Sequence, residues 1–253
     1  MDYLIAIAGA FVAGGINTLS GNGSAITLTI LMELLGLPAN VANGTNRVGV
    51  LTQGLAGTLA FHRAGRFAGV AEDRADMRRI ILITTLGAAL GIYLGLSVDN
   101  ASFRAIFRYL LIVMLVVIVV RPKRWLTAGR SVRRLPLVAT VPLYFALGVY
   151  GGFIQMGMGI FFLATLVLLA RYEIIPANVV KVAVVTLYTA LAVAVFAWRG
   201  LVDWRFGLLM AVGQTAGGYL TAVYATRDPR AGTVTYYLLI VVVLGAIVKA
   251  FFL

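Results

Sequence analysis

Long apolar runs are the feature that most constrains the fold of this 253-residue chain. A hydrocarbon layer of roughly 30 Å needs about 20 helical residues at 1.5 Å each, and lipid offers the backbone no hydrogen-bond partner. Such runs therefore predict transmembrane helices, at 41–61, 80–98, 106–120, 179–198, 205–225 and 233–253. Only 12% of the residues are charged and 61% are hydrophobic. Since a soluble domain carries about 25% charged residues, we expect an all-α integral membrane protein.

Two glycine-rich interruptions divide the rest of the apolar sequence, GGINTLSGNGSA at 14–25 and GGFIQMGMGIFF at 151–162. Each lies between two apolar segments that together are too long for one straight span, while the second segment alone is too short to cross. Each pair is therefore predicted to form a broken re-entrant helix hairpin with its tip inside the protein; one kinked span per half is the alternative. The flanking segments are 3–19 and 24–37, then 136–155 and 160–171.

Short sequence matches indicate an internal duplication. PANV occurs at 38–41 and again at 176–179. GAALGIYLG at 87–95 resembles GQTAGGYLT at 213–221, and the GNG of the first interruption aligns with the GMG of the second. Repeats of this kind are typical of secondary transporters.

The matches divide the chain into a first repeat over 1–120, a basic linker over 121–135 and a second repeat over 136–253. With one hairpin and three transmembrane helices, each repeat crosses the membrane an odd number of times. The second repeat would then be inverted relative to the first. Kinked spans in place of hairpins would instead make the two repeats parallel.

Positive charge is concentrated between the spans. The net charge is +12, with five arginines between 63 and 79 and six lysines or arginines between 121 and 134. The positive-inside rule accounts for both clusters and places them in the cytoplasm, so nucleic-acid binding is not indicated. We expect a multi-pass protein of the cytoplasmic (inner) membrane, with 99–104, 199–204 and both termini on the outer side.

The interruptions predict an anion site. Unwound backbone inside a membrane protein needs a polar environment, and half-helix N-termini there aim free N–H groups at anionic substrates. Two hairpin tips that meet would form one pseudo-symmetric site, with a more polar first half. The candidate substrate-binding residues of the two tips are Asn17, Thr18, Ser20, Gly21, Asn22, Gly23, Ser24, Gln155, Met156, Gly157, Met158 and Gly159.

Charged and polar side chains within the apolar runs extend this prediction. Arg47 and Lys181 follow the two PANV sequences and offer positive charge to an anion; the alternative is that both lie at helix ends and snorkel to the interface. Thr45 and Asn46, beside Arg47, complete the candidate set. Glu33 is expected to be interfacial or structural rather than a proton relay.

Some glycines are better explained by packing. Gly87, Gly91 and Gly95, and likewise Gly213 and Gly217, follow the small-xxx-small spacing that lets membrane helices approach closely. The polar residues between the glycines of 20–24 favour a binding role there.

Enzymatic chemistry lacks its usual residues. Cysteine is absent, His62 is the only histidine, and neither an HExxH nor a P-loop sequence occurs. The aspartates fall between the apolar runs, which argues against an intramembrane protease. We therefore expect no enzyme activity, no metal and no cofactor.

Several sequences in order resemble the TauE/SafE family of anion transporters, also called the sulfite exporter family. They are the glycine-rich break, GTN at 44–46, FHRAGRF at 61–67, GGFIQMGMG, VVKVAV, WRGLVDWRFGLL and GQTAGGYL. The resemblance covers essentially the whole chain and implies a carrier for sulfite, sulfoacetate, other sulfonates or related organic anions. QMGMG departs from the family pattern, because methionines replace a glycine and would make the site narrower and more apolar.

The leading hypothesis is a secondary transporter that alternates access around the hairpin tips. An anion-selective channel with the same site is the alternative, and a membrane scaffold or receptor without transport is a third reading. The expected partners are a small anionic substrate and the lipid bilayer. Exposed helix faces leave a homodimer open.

Overall fold

The computed structural model describes residues 2–19, 21–66, 74–119 and 136–225, together with 227, 228, 230 and seven positions between 237 and 248. All regular secondary structure in these residues is helical. The principal helices are α1 (Asp2–Leu19), α2 (Gly23–Thr29), α3 (Ala39–Arg63), α4 (Arg74–Ser97), α5 (Asn100–Val119), α6 (Leu137–Phe153), α7 (Met158–Ala164), α8 (Ile174–Trp198) and α9 (Trp204–Ala225). Helices α2 and α7 each continue into a π-helix, at Ile30–Leu34 and Thr165–Leu169.

Within the described residues, three helices are long and apolar enough to cross a membrane: Asp76–Ser97, Ile175–Trp198 and Trp204–Tyr224. Four shorter apolar helices form the two hairpins: Tyr3–Leu19 with Gly23–Leu34, and Leu137–Phe153 with Met158–Leu169. An all-helical membrane-type fold is thereby confirmed. The linker 121–135 and most of the predicted span 233–253 lie outside the described residues.

The connection between α4 and α5 is shorter than the gap between the predicted spans. These spans were predicted at 80–98 and 106–120, but α5 begins at Asn100. The cause is Asp99, whose Oδ1 accepts hydrogen bonds from the N–H groups of Ala101 and Ser102, both at 2.9 Å. The Ser102 N–H donates to this carboxylate and holds the pKa of Asp99 below its usual value. An aspartate that caps two N–H groups starts a helix directly after it.

The chain reverses direction at both glycine-rich breaks. Gly9 of α1 packs against Ile30 at the far end of the first hairpin, whereas Gly23 packs against Ala13 and Asn17 near its tip. Residues early in α1 thus contact residues late in the hairpin, which means that the two helices are antiparallel. The alternative of a single kinked span is therefore wrong for this half.

The second hairpin repeats the arrangement. The rings of Tyr150 and Phe161 lie 5.2 Å apart, and those of Tyr144 and Phe162 lie 5.5 Å apart. The earlier tyrosine of α6 contacts the later phenylalanine of α7, so α6 also runs antiparallel to α7.

The two halves repeat the same backbone features at one constant spacing along the chain. Gly36 and Arg171 both adopt left-handed φ angles, as do Gly65 and Gly200. The two π-helices keep this spacing at both of their ends, and so do the helices α3 and α8.

The PANV match is out of register with this structural repeat. At the constant spacing, Pro38 corresponds to Glu173 and not to Pro176. Pro38 lies just before α3, as Glu173 lies just before α8, but Pro176 lies inside the first turn of α8. A proline is tolerated at both places because the first-turn N–H groups have no helical partner.

The glycine repeats of α4 and α9 are packing residues, as predicted. A Cβ on Gly87 or Gly91 would overlap the carbonyl of Phe145 or Val149 in α6. The glycines of α9, Gly213 and Gly217, meet the carbonyls of Ile7 and Phe11 in α1 in the same way. Each hairpin's first helix therefore packs on a helix of the other half.

Helices α3 and α8 cross at the centre. Gly54 faces Thr186, and Gly57, one turn later, faces Val182, one turn earlier. These equivalent helices of the two halves consequently run in opposite directions.

Candidate functional site

The two hairpin tips touch through glycines. The N–H of Gly159 donates to the carbonyl of Gly21 at 3.2 Å, and a Cβ on either glycine would overlap the backbone of the other. Gly21 and Gly157 both adopt left-handed φ angles, of 80° and 68°, and Gln155 does so at 62°. Only glycine enters this region without strain, so the chain reversals at Gly21 and Gly157 depend on glycine at these two positions.

A cavity lies where the tips meet α3 and α8. The space open to the centre of a water molecule is about 20 Å³, which is room for about one water. Its lining combines the tips with one face of each helix: Asn17, Gly21, Val50, Gln53, Gly54, Gln155, Met158, Gly159, Lys181, Val182, Val185, Thr186 and Tyr188. The structure therefore brings together six predicted site residues, Asn17, Gly21, Gln155, Met158, Gly159 and Lys181.

Lys181 is 2% exposed and reaches the end of α1. Its Nζ donates to the carbonyls of Asn17 at 3.1 Å and Thr18 at 2.8 Å, and to Asn178 Oδ1 at 2.7 Å. The last carbonyls of a helix have no partner within it and carry partial negative charge. Lys181 thus caps the first half-helix from the opposite half of the chain.

Arg47 does the same for α6 and is 0% exposed. Its guanidinium donates to the carbonyls of Gly151 at 3.2 Å and Gly152 at 2.6 Å, and to Asn43 Oδ1 at 3.3 Å. The guanidinium carbon lies 5.1 Å from the centre of the Phe196 ring. Arg47 does not line the cavity.

The two cations are therefore matched in role. Asn43 and Asn178, which accept from them, occupy equivalent positions of α3 and α8. Both cations are buried, so the snorkelling alternative is wrong. Among the described residues, no carboxylate lies within 4.0 Å of either cation, and only carbonyl and amide oxygens accept from them.

A second polar network joins two predicted site residues, Asn17 and Thr18, to Gln53, which the predicted set did not include. Asn17 donates to Gln53 Oε1 at 2.6 Å, and Gln53 Nε2 donates to Thr18 Oγ1 at 2.9 Å. The Thr18 hydroxyl donates to the carbonyl of Gly14 at 3.0 Å. This network ties α3 to the end of α1. The sequence signal for Gln53 was its polar character in an apolar run, seven residues after Asn46 and so on the same helix face.

Tyr188 is the other residue that was missed. It is fully buried beside the cavity, and its hydroxyl has no hydrogen-bond partner among the described residues. Gln155 donates to Thr189 Oγ1 at 2.7 Å, but its Oε1 is likewise without a partner there. A tyrosine in an apolar run looks like a core residue, so the sequence carried no sign of this role.

Other predicted site residues support the helices instead. Asp203 N–H donates to Thr45 Oγ1 at 2.9 Å, which fixes the connection between α8 and α9. Thr27 donates to Asn46 Oδ1 at 2.5 Å.

Asn22 is fully buried, and neither of its amide atoms has a partner in the described part of the chain.

The remaining described members of the predicted set do not line the cavity. Gly23 and Ser24 are buried in the first turn of α2, and Gly157 precedes α7. Met158 lines the cavity whereas Met156 does not. Ser20 lies outside the described residues.

Glu33 has the structural role that was expected. It forms an ion pair with Arg104 at 3.1 Å, and both side chains are about one third exposed. In the part of the chain that the structure describes, no group of three histidine, cysteine or acidic residues could hold a metal ion.

Apolar helices, two broken hairpins and a buried cationic cavity define a helical membrane transporter rather than an enzyme. The chain matches the family model described as "Sulfite exporter TauE/SafE" over residues 6–249, and it belongs to this family. It is 29% identical to a probable membrane transporter protein, ORF9, of a Sinorhizobium species, over 85% of this chain and 80% of that one.

Two further relatives carry the same description. The Haemophilus influenzae protein is 29% identical over 84% of this chain and 80% of its own length, and a Xylella fastidiosa protein is 25% identical over 87% and 83%. No solved structure gives a significant match.

Proposed function

We propose that this transporter carries small sulfur-containing or organic anions across the cytoplasmic membrane, and that the anion binds in the cavity at the hairpin tips. Sulfite is the substrate that the family description names, and sulfoacetate and other sulfonates are the related anions that the sequence resemblance implies. The single observation that carries the proposal is the Lys181 ammonium, which lines the cavity without a carboxylate among the described residues. A buried charge without a counter-ion is costly, and an anion in the cavity would offset that cost.

The tips suit an anion for a second reason. Helices α2 and α7 begin at the tips, next to the cavity, and the dipole of each half-helix contributes partial positive charge there. The side chain of Asn22, the N-cap residue of α2, makes no capping hydrogen bond. The site of substrate contact in this proposal comprises Asn17, Gly21, Gln155, Gly159 and Lys181.

Alternating access is the proposed mechanism, with two inverted repeats rocking about the tips. The opposite directions of α3 and α8 support inversion, because equivalent helices of parallel repeats would point the same way. In an inverted pair, the first hairpin enters from the outer side and the second from the cytoplasmic side. Each half then controls access from one side.

The size of the cavity supports a carrier. Space for about one water is smaller than a sulfonate, so the cavity must expand to bind one, as expected of a protein that changes conformation during transport. Met158 and three valines form the apolar part of the lining, which suits a small organic tail.

The first experiment is ligand-dependent thermal unfolding of the purified protein in detergent. Sulfite, thiosulfate, sulfate, sulfoacetate, taurine and small carboxylates are compared with chloride. A ligand at 100 times its Kd stabilises by roughly 2.7 kcal/mol. Stabilisation by a sulfonate or sulfite is expected, and no response to any of these anions contradicts the proposal.

Flux into liposomes then separates a carrier from a channel. Uptake of the stabilising anion should saturate and should accelerate when the same anion is loaded inside, because a carrier returns faster when occupied. Flux proportional to concentration, without acceleration from inside, would favour the channel.

A further inference from the structure

Two polar atoms in the cavity wall have unused hydrogen-bonding capacity. All three Lys181 protons are donated to oxygen atoms of the protein, and the Gln53 amide is hydrogen-bonded to Asn17 and Thr18. Tyr188 and Gln155 both line the cavity, and the Tyr188 hydroxyl and Gln155 Oε1 are buried without a hydrogen-bond partner of good geometry among the described residues. Buried polar groups are nearly always hydrogen-bonded, so such atoms beside a binding cavity point to a ligand.

The placement of Tyr188 depends on a glycine. A Cβ on Gly151 would lie 2.8 Å from the Tyr188 hydroxyl and 3.0 Å from its ring carbon Cζ. The absence of a side chain at 151 therefore lets the phenol lie beside the second break.

The matching position in the first half has a different role. Gln53 occupies in α3 the position that Tyr188 occupies in α8, and it also lines the cavity. Its amide ties α3 to α1 through Asn17 and Thr18. Both amide atoms of Gln53 are thus hydrogen-bonded within the protein, whereas the hydroxyl of Tyr188 is not.

The chemistry of the free atoms defines the ligand. A phenol hydroxyl can donate to an anionic oxygen, whereas an amide oxygen can only accept. One ammonium in the lining balances one negative charge. We propose, on the basis of the proposed function, that Tyr188 and Gln155 select a singly charged anion that carries its own hydrogen-bond donor, such as a hydroxyl. Tyr188 Oη donates to the anionic group, and Gln155 Oε1 accepts from the ligand's donor.

The preference between ligands arises from the polar atoms of the site that an unsuitable ligand leaves without a hydrogen-bond partner. A site built to pair with a ligand hydroxyl rejects the analogue that lacks it, because its own polar atom is then buried without a partner. A doubly charged anion would exceed the charge of the lining. The hydroxyl-bearing monoanion should therefore bind more tightly than the analogue without the hydroxyl and more tightly than a doubly charged anion.

The test uses 2-hydroxyethanesulfonate and ethanesulfonate, which have the same charge and differ by one hydroxyl. Their affinities for the purified wild type are measured by titration calorimetry and by thermal stabilisation. We expect the hydroxylated sulfonate to bind at least about tenfold more tightly.

Two variants assign the preference to the two residues. Tyr188→Phe should weaken both ligands about tenfold or more without lowering the unfolding temperature of the free protein, because it removes a hydroxyl that has no partner to lose. Gln155→Met should bind the two sulfonates equally. Tyr144→Phe, a buried tyrosine outside the cavity lining, is the matched control and should keep the wild-type affinities.

The outcomes separate the two proposals. Wild-type protein that binds anions but treats the two sulfonates alike, or a Tyr188→Phe variant with wild-type affinity, overturns the selection by Tyr188 and Gln155 and leaves the anion site standing. A lower unfolding temperature of free Tyr188→Phe with unchanged affinity would assign the hydroxyl to structure. Wild-type protein that binds no anion overturns both proposals.

Discussion

Arg47 and Lys181 have matching roles in the two halves, yet their surroundings differ. Each caps the end of a broken helix from the opposite half, with an asparagine of its own helix as third acceptor. Arg47 is closed off from the cavity and lies over Phe196, whereas Lys181 is part of the cavity wall. Two buried cations with matching structural roles can thus differ in access to a cavity, which is why the proposed function assigns ligand binding to Lys181 and not to Arg47.

The largest effect is expected from Arg47→Met. The change leaves the carbonyls of Gly151 and Gly152 buried without their donor, at a cost of roughly 1–3 kcal/mol each. The unfolding temperature should fall strongly, both with and without anion. Arg47→Lys should recover only part of the stability, because an ammonium lacks the planar guanidinium that lies over the Phe196 ring while it donates to the two carbonyls. Wild-type stability of Arg47→Met would show that Arg47 is dispensable.

Gly21→Ala tests the tips that both cations hold. The added Cβ would overlap the backbone of Gly159 and strain a left-handed residue, which together cost about 1–3 kcal/mol. We expect lower stability and loss of flux in liposomes. Gly57→Ala is the control, because its Cβ would make only an ordinary contact, 3.5 Å from Val182 Cγ1. Equal behaviour of the two variants would mean that the tips have room to separate.

Lys181→Met should separate binding from stability. Lys181 lines the cavity, where water can hydrogen-bond to the acceptors that the variant leaves, so destabilisation of about 1–2 kcal/mol is expected, less than for Arg47→Met. Stabilisation by anions should disappear. If Lys181→Met responds to anions as the wild type does, Lys181 does not differ from Arg47 and is a second structural cap.

The smallest effect is expected from Glu33→Gln. Its ion pair with Arg104 is partly exposed, and such pairs contribute about 0–1 kcal/mol and are screened by salt. Stability should change little and anion flux should be retained. A selective loss of pH-driven flux would instead assign proton relay to Glu33.

Much of the fold was predictable from the sequence because membrane helices obey length and polarity. The hairpins followed from glycines and polar residues in apolar sequence, and the packing role of Gly87 and Gly217 followed from their spacing. The register of the duplication was not predictable, because Pro38 and Pro176 stand in identical sequences at different positions relative to the helix start. The inverted orientation and the domain limits stay proposals.

The site was predictable only where a residue type stands out. Lys181 and Gln155 are conspicuous in an apolar segment and do line the cavity. Arg47 was equally conspicuous, but its partners are backbone carbonyls distant in sequence, which no pattern shows. Tyr188 was missed because burial of a hydroxyl without a partner is a property of the folded protein.

The contact between Gly21 and Gly159 also bears on the electrical insulation of the membrane. A membrane that holds 100 mV drives each ion that crosses it with about 2.3 kcal/mol. Backbone touches backbone at the tips, so no water molecule fits between Gly21 and Gly159. In the proposed carrier, two hydrogen atoms in place of side chains therefore close the point where the two halves meet to ions or protons.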